Sequence, residues 1–140
     1  MPLIPEIART WRIRYQRYRL EGTRCKDCGK IHYPPRLICD KCYSRNLEPY
    51  RLSGEGEVIS YTVVNRGATG FDAYTPYIYA IVKLKEGIVV EAQITDVDLE
   101  DVYVGMPVEM VVRKLTEYRD DGLIVYGYKF RPKLEGVKNE

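Results

Sequence analysis

Two hydrophobic periods divide the chain. Up to residue 18, apolar residues recur every three or four positions, which is typical of one face of an amphipathic helix. The apolar stripe consists of Ile4, Ile7, Trp11, Tyr15 and Tyr18, and the opposite face carries Arg9, Arg12, Arg14, Arg17 and Arg19. A lone helix of this length is marginal in water. We therefore expect the stripe to pack against the domain that follows it, or against another protein or a second copy of the chain, with Trp11, Arg12 and Tyr15 as the candidate partner contacts.

After Leu52 the hydrophobic period changes to two, which is typical of strands covered on one face. Strands are predicted over residues 57–64, 77–84, 88–94, 108–115 and 123–130. Residues 85–87 connect the second strand to the third as a hairpin. The acidic segment 95–102 interrupts the alternation; because it lacks the glycine and the spacing of an EF-hand, it is predicted to form a capped short helix or a turn and not a calcium loop.

All four cysteines lie between the helix and the strands, in two pairs. Two residues separate Cys25 from Cys28 and Cys39 from Cys42, and ten residues lie between the pairs, which is typical of a zinc ribbon. Four thiolates complete a tetrahedral site and leave no position for water, so we expect one structural zinc, although iron could occupy the same thiolates. His32, the single histidine, is expected not to bind the metal.

Five strands with an insert between the third and the fourth have the order of an OB-type barrel. A five-stranded barrel of the SH3 kind is the competing architecture. Gly56 and Gly127, which would let strands bend around a small barrel, favour the OB fold. The expected protein is mainly β, with an amphipathic helix over residues 1–21, a rubredoxin-like zinc ribbon over 22–51, an OB-fold barrel over 52–132 and a flexible tail over 133–140.

Charge is distributed unevenly along the chain. Residues 1–51 contain twelve Lys and Arg against five Asp and Glu, a net +7, and residues 52–140 contain ten against fifteen, a net −5. A basic front half is compatible with a phosphate-bearing ligand, nucleic acid, an acidic protein face or a solvated surface without a partner. Because the sequence shows no signal peptide and no apolar run of membrane length, we expect a cytoplasmic protein without a membrane partner. In the cytoplasm paired cysteines usually bind metal.

The chain offers little for catalysis. Every thiol is committed to the predicted metal site, the histidine lies in the ribbon loop, and P-loop, dinucleotide-binding and Gly-x-Ser-x-Gly motifs are missing from the sequence. A binding or scaffolding protein is therefore expected, not an enzyme. Two ligand classes remain open, namely single-stranded nucleic acid stacked on the aromatic residues of an OB barrel, and a nucleotide-bearing molecule with an apolar arm, such as an acyl-CoA.

Several motifs occur together in a recognisable order. They are Trp11-Arg12, the stretches 22–29 and 34–42 around the cysteines, the stretch 54–62, Pro76-Tyr77 and the stretch 105–108. In this they resemble a family of zinc-ribbon/OB-fold proteins of archaea and bacteria, once filed as a domain of unknown function, that accompany thiolases and hydroxymethylglutaryl-CoA (HMG-CoA) synthases. The similarity extends over nearly the whole chain.

The resemblance implies a non-catalytic accessory protein that binds acyl-CoA or bridges a thiolase to its synthase partner. It implies that the four cysteines are structural zinc ligands and that Arg36, Phe71 and Tyr77 line a ligand groove. Pro35 and Tyr74, which neighbour these residues in the sequence, complete the candidate ligand set. A single-stranded nucleic-acid-binding module is the alternative function.

Overall fold

The computed structural model describes residues 7–69, 71–117 and 122–134. The described elements are two helices, α1 (Ile7–Arg12) and α2 (Arg14–Arg19), and eight strands, β1 (Glu21–Cys25), β2 (Ile31–His32), β3 (Leu47–Arg51), β4 (Glu55–Val64), β5 (Tyr77–Leu84), β6 (Val89–Ile94), β7 (Pro107–Glu117) and β8 (Ile124–Pro132). Short 3-10 helices occupy Asp72–Tyr74 and Leu99–Asp101. Within the described residues, none of the helices has the length and apolar character needed to cross a membrane.

The predicted N-terminal helix is divided at Ile13. This residue has φ −97° and ψ 12°, well away from helical ψ, although its N–H still donates to the Arg9 carbonyl at 3.2 Å. Helix α2 is capped at its C-terminus by Leu20, which takes a left-handed conformation (φ 48°) and whose side chain is completely buried. Gly22, the first residue after the predicted helix 1–21, lies in β1, where a Cβ would collide with the carbonyl oxygen of His32. Residues 1–6 of the predicted helix and residues 135–140 of the predicted tail lie outside the described part of the chain.

The ribbon region forms a three-stranded antiparallel sheet in the order β2-β1-β3. Thr23 of β1 lies opposite His32 of β2 on one side and opposite Pro49 of β3 on the other. The sequence pattern did not predict β3, because a proline interrupts a strand that has few apolar residues. Proline is tolerated at this place since β3 is an edge strand.

The five remaining strands form a closed barrel in the order β4-β5-β6-β8-β7, with β7 pairing back to β4. All the pairings are antiparallel except that of β6 with β8, which consists of the single bridge between Ile94 and Phe130. This topology confirms the OB fold and excludes the SH3-type alternative. The β5–β6 hairpin is also confirmed. The acidic insert between β6 and β7 forms a 3-10 turn, as expected, but Asp98 at its N-cap makes no capping side-chain hydrogen bond.

The two glycines predicted to ease bending lie at close strand contacts. A Cβ on Gly56 would strike the carbonyl oxygen of Lys83 on β5, and a Cβ on Gly127 would strike the side chain of Leu115 on β7. Strands β4 and β7 also carry register shifts, between Val58 and Ser60 and between Lys114 and Thr116. Bulges of this kind increase local twist, so the strands curve without losing their pairing.

The core fills the barrel and continues into the ribbon. Alternate residues of β5 and β6 point inward, namely Ile78, Ala80, Val82, Leu84, Val90, Ala92 and Ile94. Leu20, at the end of α2, and Leu52, before β4, belong to the same buried cluster, and the ribbon residues Ile31, Tyr33 and Tyr50 pack against it. Each buried aliphatic side chain contributes roughly 1.5–3 kcal/mol to the free energy of unfolding. Because the ribbon and the barrel share this buried cluster, they stabilise one another.

Candidate metal centre and binding surfaces

The fold brings the four cysteine sulfur atoms together. The Sγ atoms of Cys25 and Cys42 are 3.5 Å apart, as are those of Cys28 and Cys39, and all four lie within 4.8 Å of one another. A disulfide bond requires about 2.05 Å, whereas four sulfurs at about 2.3 Å from one zinc would be about 3.8 Å apart in a tetrahedron. The arrangement therefore fits one structural zinc held by four thiolates, and it does not fit disulfides.

Two backbone knuckles of the same design present these sulfurs. In the first, the Cys25 N–H donates to the Lys30 carbonyl and the Cys25 carbonyl accepts from the Gly29 N–H, both at 2.9 Å. The second repeats both bonds at the same spacing around Cys39, at 2.9 and 3.0 Å. The residue after the second cysteine of each pair has a left-handed φ, +75° for Gly29 and +57° for Tyr43. The close cysteine spacing thus folds into two equivalent turns around one point.

Without metal the four thiols differ in pKa. Hydrogen bonding with the backbone at Cys42 lowers the pKa of Cys39 to about 6, against the opposing effect of burial. The Ser44 backbone lowers the pKa of Cys42, but burial and hydrogen bonds with Cys25 and the other thiols outweigh it and raise the pKa to about 12. A divalent cation removes this competition, because its charge stabilises all four thiolates together.

His32 lies next to the sulfur cluster. Its side chain is buried, and its Nδ1 atom is 3.7 Å from Oδ1 of Asp40. His32, Cys39 and Asp40 could place three ligand atoms within 4.8 Å of one another, but Cys39 already belongs to the complete set of four sulfurs. The buried Nε2 atom has no hydrogen-bond partner among the described residues. The histidine is therefore a neighbour of the metal centre, consistent with the four-cysteine site predicted from the sequence.

The predicted ligand residues form two separate groups. Phe71 and Tyr77 approach with 6.5 Å between ring centroids, and the Tyr74 N–H donates to the Phe71 carbonyl at 3.0 Å, so these three aromatic residues lie together where the loop after β4 enters β5. We call them the aromatic loop. Pro35 and Arg36 lie on the ribbon, where the Arg36 N–H donates to Thr23 at 3.1 Å. No hydrogen bond or ring contact joins the two groups within the described part of the chain.

The N-terminal arm, residues 7–19, presents its aromatic residues to solvent. Trp11 is 65% exposed, and Ile7 and Tyr15 are exposed as well. The guanidinium of Arg14 lies over both rings, 4.0 Å from the Trp11 centroid and 4.2 Å from that of Tyr15. Arg12 donates to the Ala8 carbonyl at 3.2 Å. Helix α2 contacts β8 of the barrel and Tyr18 is half-buried, whereas Ile7, Trp11 and Tyr15 of the stripe stay exposed among the described residues. Contact of Trp11 with another protein therefore stays a prediction.

Comparison with known proteins identifies the family. Residues 16–48 match the family described as "ChsH2, rubredoxin-like zinc ribbon domain", and residues 50–113 match "ChsH2, C-terminal OB-fold domain". A Pyrococcus furiosus protein named "DUF35 domain-containing scaffold protein" is 50% identical over 127 residues, which cover 91% of this chain and 93% of the relative. The chain belongs to the DUF35 family. The resemblance inferred from the sequence is thereby confirmed.

Other DUF35 relatives are named for enzyme complexes. "Benzoylsuccinyl-CoA thiolase subunit BbsA" of Geobacter metallireducens is 32% identical over 112 residues, which cover 80% of this chain and 73% of that protein. The solved structure "Ltp2-ChsH2(DUF35) aldolase" superposes with a TM-score of 0.69 at 26% identity and covers 94% of this chain and 98% of the matched chain. This DUF35 protein therefore shares both sequence and fold with subunits described in thiolase and aldolase contexts.

Lys129 is a candidate site residue of this DUF35 protein that the sequence did not reveal. Its ammonium nitrogen is 5.8 Å from the centroid of the Tyr74 ring, and it forms no ion pair with any described carboxylate. Burial lowers the pKa of Lys129, and the nearby charge of Arg113 adds to this effect. The sequence does not single Lys129 out, because β8 also contains Arg131 and because the proximity of Lys129 to Tyr74 depends on tertiary packing.

Proposed function

We propose that this DUF35 protein is a non-catalytic accessory subunit that binds acyl-CoA and docks on a thiolase-type or HMG-CoA synthase-type enzyme. The observation that carries the proposal is its relationship, across 80% of the chain, to a protein named as a subunit of benzoylsuccinyl-CoA thiolase. The name "scaffold protein" of the Pyrococcus furiosus relative supports the accessory role.

The metal centre supports a non-catalytic role. Catalytic zinc sites keep a position open for water or substrate, whereas four thiolates close the coordination sphere. The same four cysteines include every thiol of the chain, so the protein has no further thiol to serve as a nucleophile. His32, the single histidine, is buried beside this cluster, where its Nδ1 atom lies 3.7 Å from the carboxylate of Asp40.

The N-terminal arm supports partner docking. Aromatic side chains and arginine are the residues most often found at the energetic centre of protein interfaces. Here Trp11 and Tyr15 are exposed, with the guanidinium of Arg14 held between their rings. None of the arginines at positions 9–19 forms an ion pair with a described carboxylate, so their charge remains available to an acidic partner face.

The aromatic loop supports binding of a nucleotide-bearing ligand. Phe71, Tyr74 and Tyr77 provide a surface on which an adenine ring or an apolar arm can lie, and Lys129 supplies a cation that pairs with none of the described carboxylates. Pro35 and Arg36 form a second surface, on the ribbon, that a long ligand or a partner enzyme would have to reach separately. We therefore assign the acyl-CoA contact first to the aromatic loop.

The proposal is tested by purifying the tagged chain from its source organism, identifying stoichiometric partners by mass spectrometry and rebuilding the complex from purified components. A thiolase-type or HMG-CoA synthase-type enzyme should be recovered. Calorimetric titration of that complex with acetyl-CoA should show binding that Tyr74→Ala and Lys129→Ala weaken, while the control change at exposed Tyr103, Tyr103→Ala, does not.

The nucleic-acid alternative gives a different result in the same preparation. Binding of a single-stranded oligonucleotide that falls steeply with salt, with no response to acetyl-CoA, would contradict the acyl-CoA proposal. The net charge of −5 over residues 52–140 opposes that alternative more than it opposes acyl-CoA binding, because a nucleic-acid strand brings a phosphate with every nucleotide, whereas coenzyme A carries its few phosphates at one end. Absence of a thiolase-type or synthase-type partner would contradict the docking part.

A further inference from the structure

The second zinc knuckle displays apolar side chains that the described chain leaves uncovered. Leu37 is 89% exposed, Tyr43 is 79% exposed, and Ile38 is exposed as well. Leu37 and Ile38 lead into Cys39, and the Tyr43 N–H donates to the Cys39 carbonyl at 3.0 Å, so all three belong to one end of the ribbon. We call these three residues the ribbon tip. It is separate in sequence from both the N-terminal arm and the aromatic loop.

Tyr43 occupies a backbone position that suits glycine better. Its φ is +57°, a left-handed value that costs a residue with a Cβ free energy. The corresponding residue of the first knuckle is Gly29, at φ +75° and with open space where a Cβ would lie. Because the Tyr43 ring is exposed, packing within the chain does not compensate for this cost. Strain kept at an exposed aromatic residue indicates a contact made outside the chain.

The charges around the ribbon tip are positive. Lys41 and Arg45 flank Tyr43, are exposed and form no ion pair with any carboxylate in the described ranges. The nearby carboxylates are already engaged: Asp40 binds Lys30 at 2.7 Å, and Asp27 accepts hydrogen bonds from Ser44 and Asn46 of the ribbon. A surface complementary to the tip therefore combines an apolar recess with acidic residues at its rim.

We propose that the ribbon tip is a second docking element that inserts into an apolar, carboxylate-rimmed recess on the partner enzyme. The proposal rests on the proposed function, because the occupant is that same enzyme. A second copy of the tip is disfavoured, since Lys41 and Arg45 would face their own equivalents. Single-stranded nucleic acid is disfavoured because Leu37 and Ile38 have no ring on which a base can stack.

The decisive variant is Tyr43→Gly, which gives the second knuckle the residue found in the first. Relief of the left-handed strain should leave the thermal midpoint unchanged or raise it, and zinc content should stay at one per chain. If the tip docks, the dissociation constant of the rebuilt enzyme complex should nevertheless rise at least about tenfold, as for an interface hot spot. If Tyr43 had only a structural role, Tyr43→Gly would not weaken binding of the enzyme while leaving the fold equally or more stable.

Two further variants complete the experiment. Leu37→Ser should weaken the complex as well, since it removes an apolar contact without touching the knuckle, and the control Val104→Ser, at an exposed barrel position, should not. Unchanged affinity for both Tyr43→Gly and Leu37→Ser overturns the ribbon-tip proposal but leaves the proposed function standing. Failure to recover a partner enzyme overturns both. Loss of oligothymidylate binding in Tyr43→Gly, with enzyme binding intact, overturns the protein occupant in favour of nucleic acid.

Discussion

The ring of Tyr33 in the ribbon meets the ring of Tyr128 in the barrel edge to face, with 6.3 Å between the centroids. Tyr128 in turn lies edge to face with Phe130, at 6.1 Å, and Phe130 is fully buried. The Tyr33 hydroxyl donates to the Gln16 carbonyl in the N-terminal arm at 3.1 Å. One phenol therefore joins the arm, the ribbon and the barrel.

Removing the Tyr33 hydroxyl should weaken this junction. Tyr33→Phe keeps the edge-to-face contact with Tyr128 but leaves the Gln16 carbonyl without its donor, so we expect a loss of about 1 kcal/mol in the free energy of unfolding. Urea denaturation measures it. The matched change Tyr103→Phe, at an exposed tyrosine, should have no measurable effect. An equal loss in both variants would show that the Gln16 bond contributes nothing.

The same residue predicts a pH dependence at the alkaline end. Burial raises the pKa of Tyr33 well above its ordinary value, and the charge of a nearby Tyr128 phenolate would raise it further. An unfolded tyrosine loses its proton near pH 10. The stabilisation is therefore complete below about pH 10 and is lost as the pH rises through the folded-state pKa, because only the unfolded chain has released the proton. Urea midpoints measured from pH 8 to 11 should fall, and less steeply in Tyr33→Phe.

The zinc ligands should control the ribbon more than the barrel. Elemental analysis should find one zinc per chain in the unchanged protein. Cys25→Ser should abolish it and should disorder the ribbon, while the barrel strands, which pair among themselves, stay folded. The barrel should nevertheless unfold at a lower temperature, because Ile31, Tyr33 and Tyr50 then no longer pack firmly on its core. Amide-resolved NMR distinguishes the two regions. Simultaneous loss of all the strand signals would show that the ribbon and the barrel fold as one unit.

Trp11→Ala should affect association far more than folding. Its side chain is 65% exposed, so the free energy of unfolding should change by no more than about 0.5 kcal/mol. Affinity for the partner enzyme should fall at least about tenfold if the arm lies at the centre of the interface. Paired denaturation and binding measurements on the same preparation test this ranking. The reverse ranking would assign Trp11 to the core.

The two close-contact glycines should differ in their tolerance to alanine. Gly56→Ala places its Cβ against the Lys83 carbonyl, which the β4–β5 pairing holds in place, whereas Gly127→Ala meets the tip of the Leu115 side chain, which can rotate away. We expect Gly127→Ala to cost about 1–3 kcal/mol, as overpacking does, and Gly56→Ala to cost more. Thermal denaturation of the two variants gives the order directly.

Much of the fold could be predicted because its signals are local. The alternation of buried and exposed residues in β5 and β6 reflects one buried face of each strand. The cysteine spacing reflects two short turns around one ion. The unpredicted strand β3 contains Pro49 and is set by its pairing with β1. The break at Ile13 likewise follows from packing of α2, since no proline or glycine marks it in the sequence.

The candidate site was less accessible to sequence reasoning. The spacing of the cysteines was sufficient for the metal centre. Proximity of Lys129 to Tyr74, by contrast, depends on contacts between residues more than fifty positions apart in the chain, and so does the junction of Tyr33 with Tyr128. Tertiary packing decides which side chains meet at such places, since Tyr33 and Tyr74 lie outside the strands.

The exposed position of Trp11 also determines what the fluorescence of the protein reports. It is the only tryptophan of the chain, and it lies in solvent with the Arg14 guanidinium 4.0 Å from its ring. The intrinsic fluorescence of the protein is therefore a local signal from the arm and a poor measure of barrel unfolding. If the arm becomes covered in a complex, the emission should shift to the blue, which gives the protein an unlabelled optical reporter of its own docking.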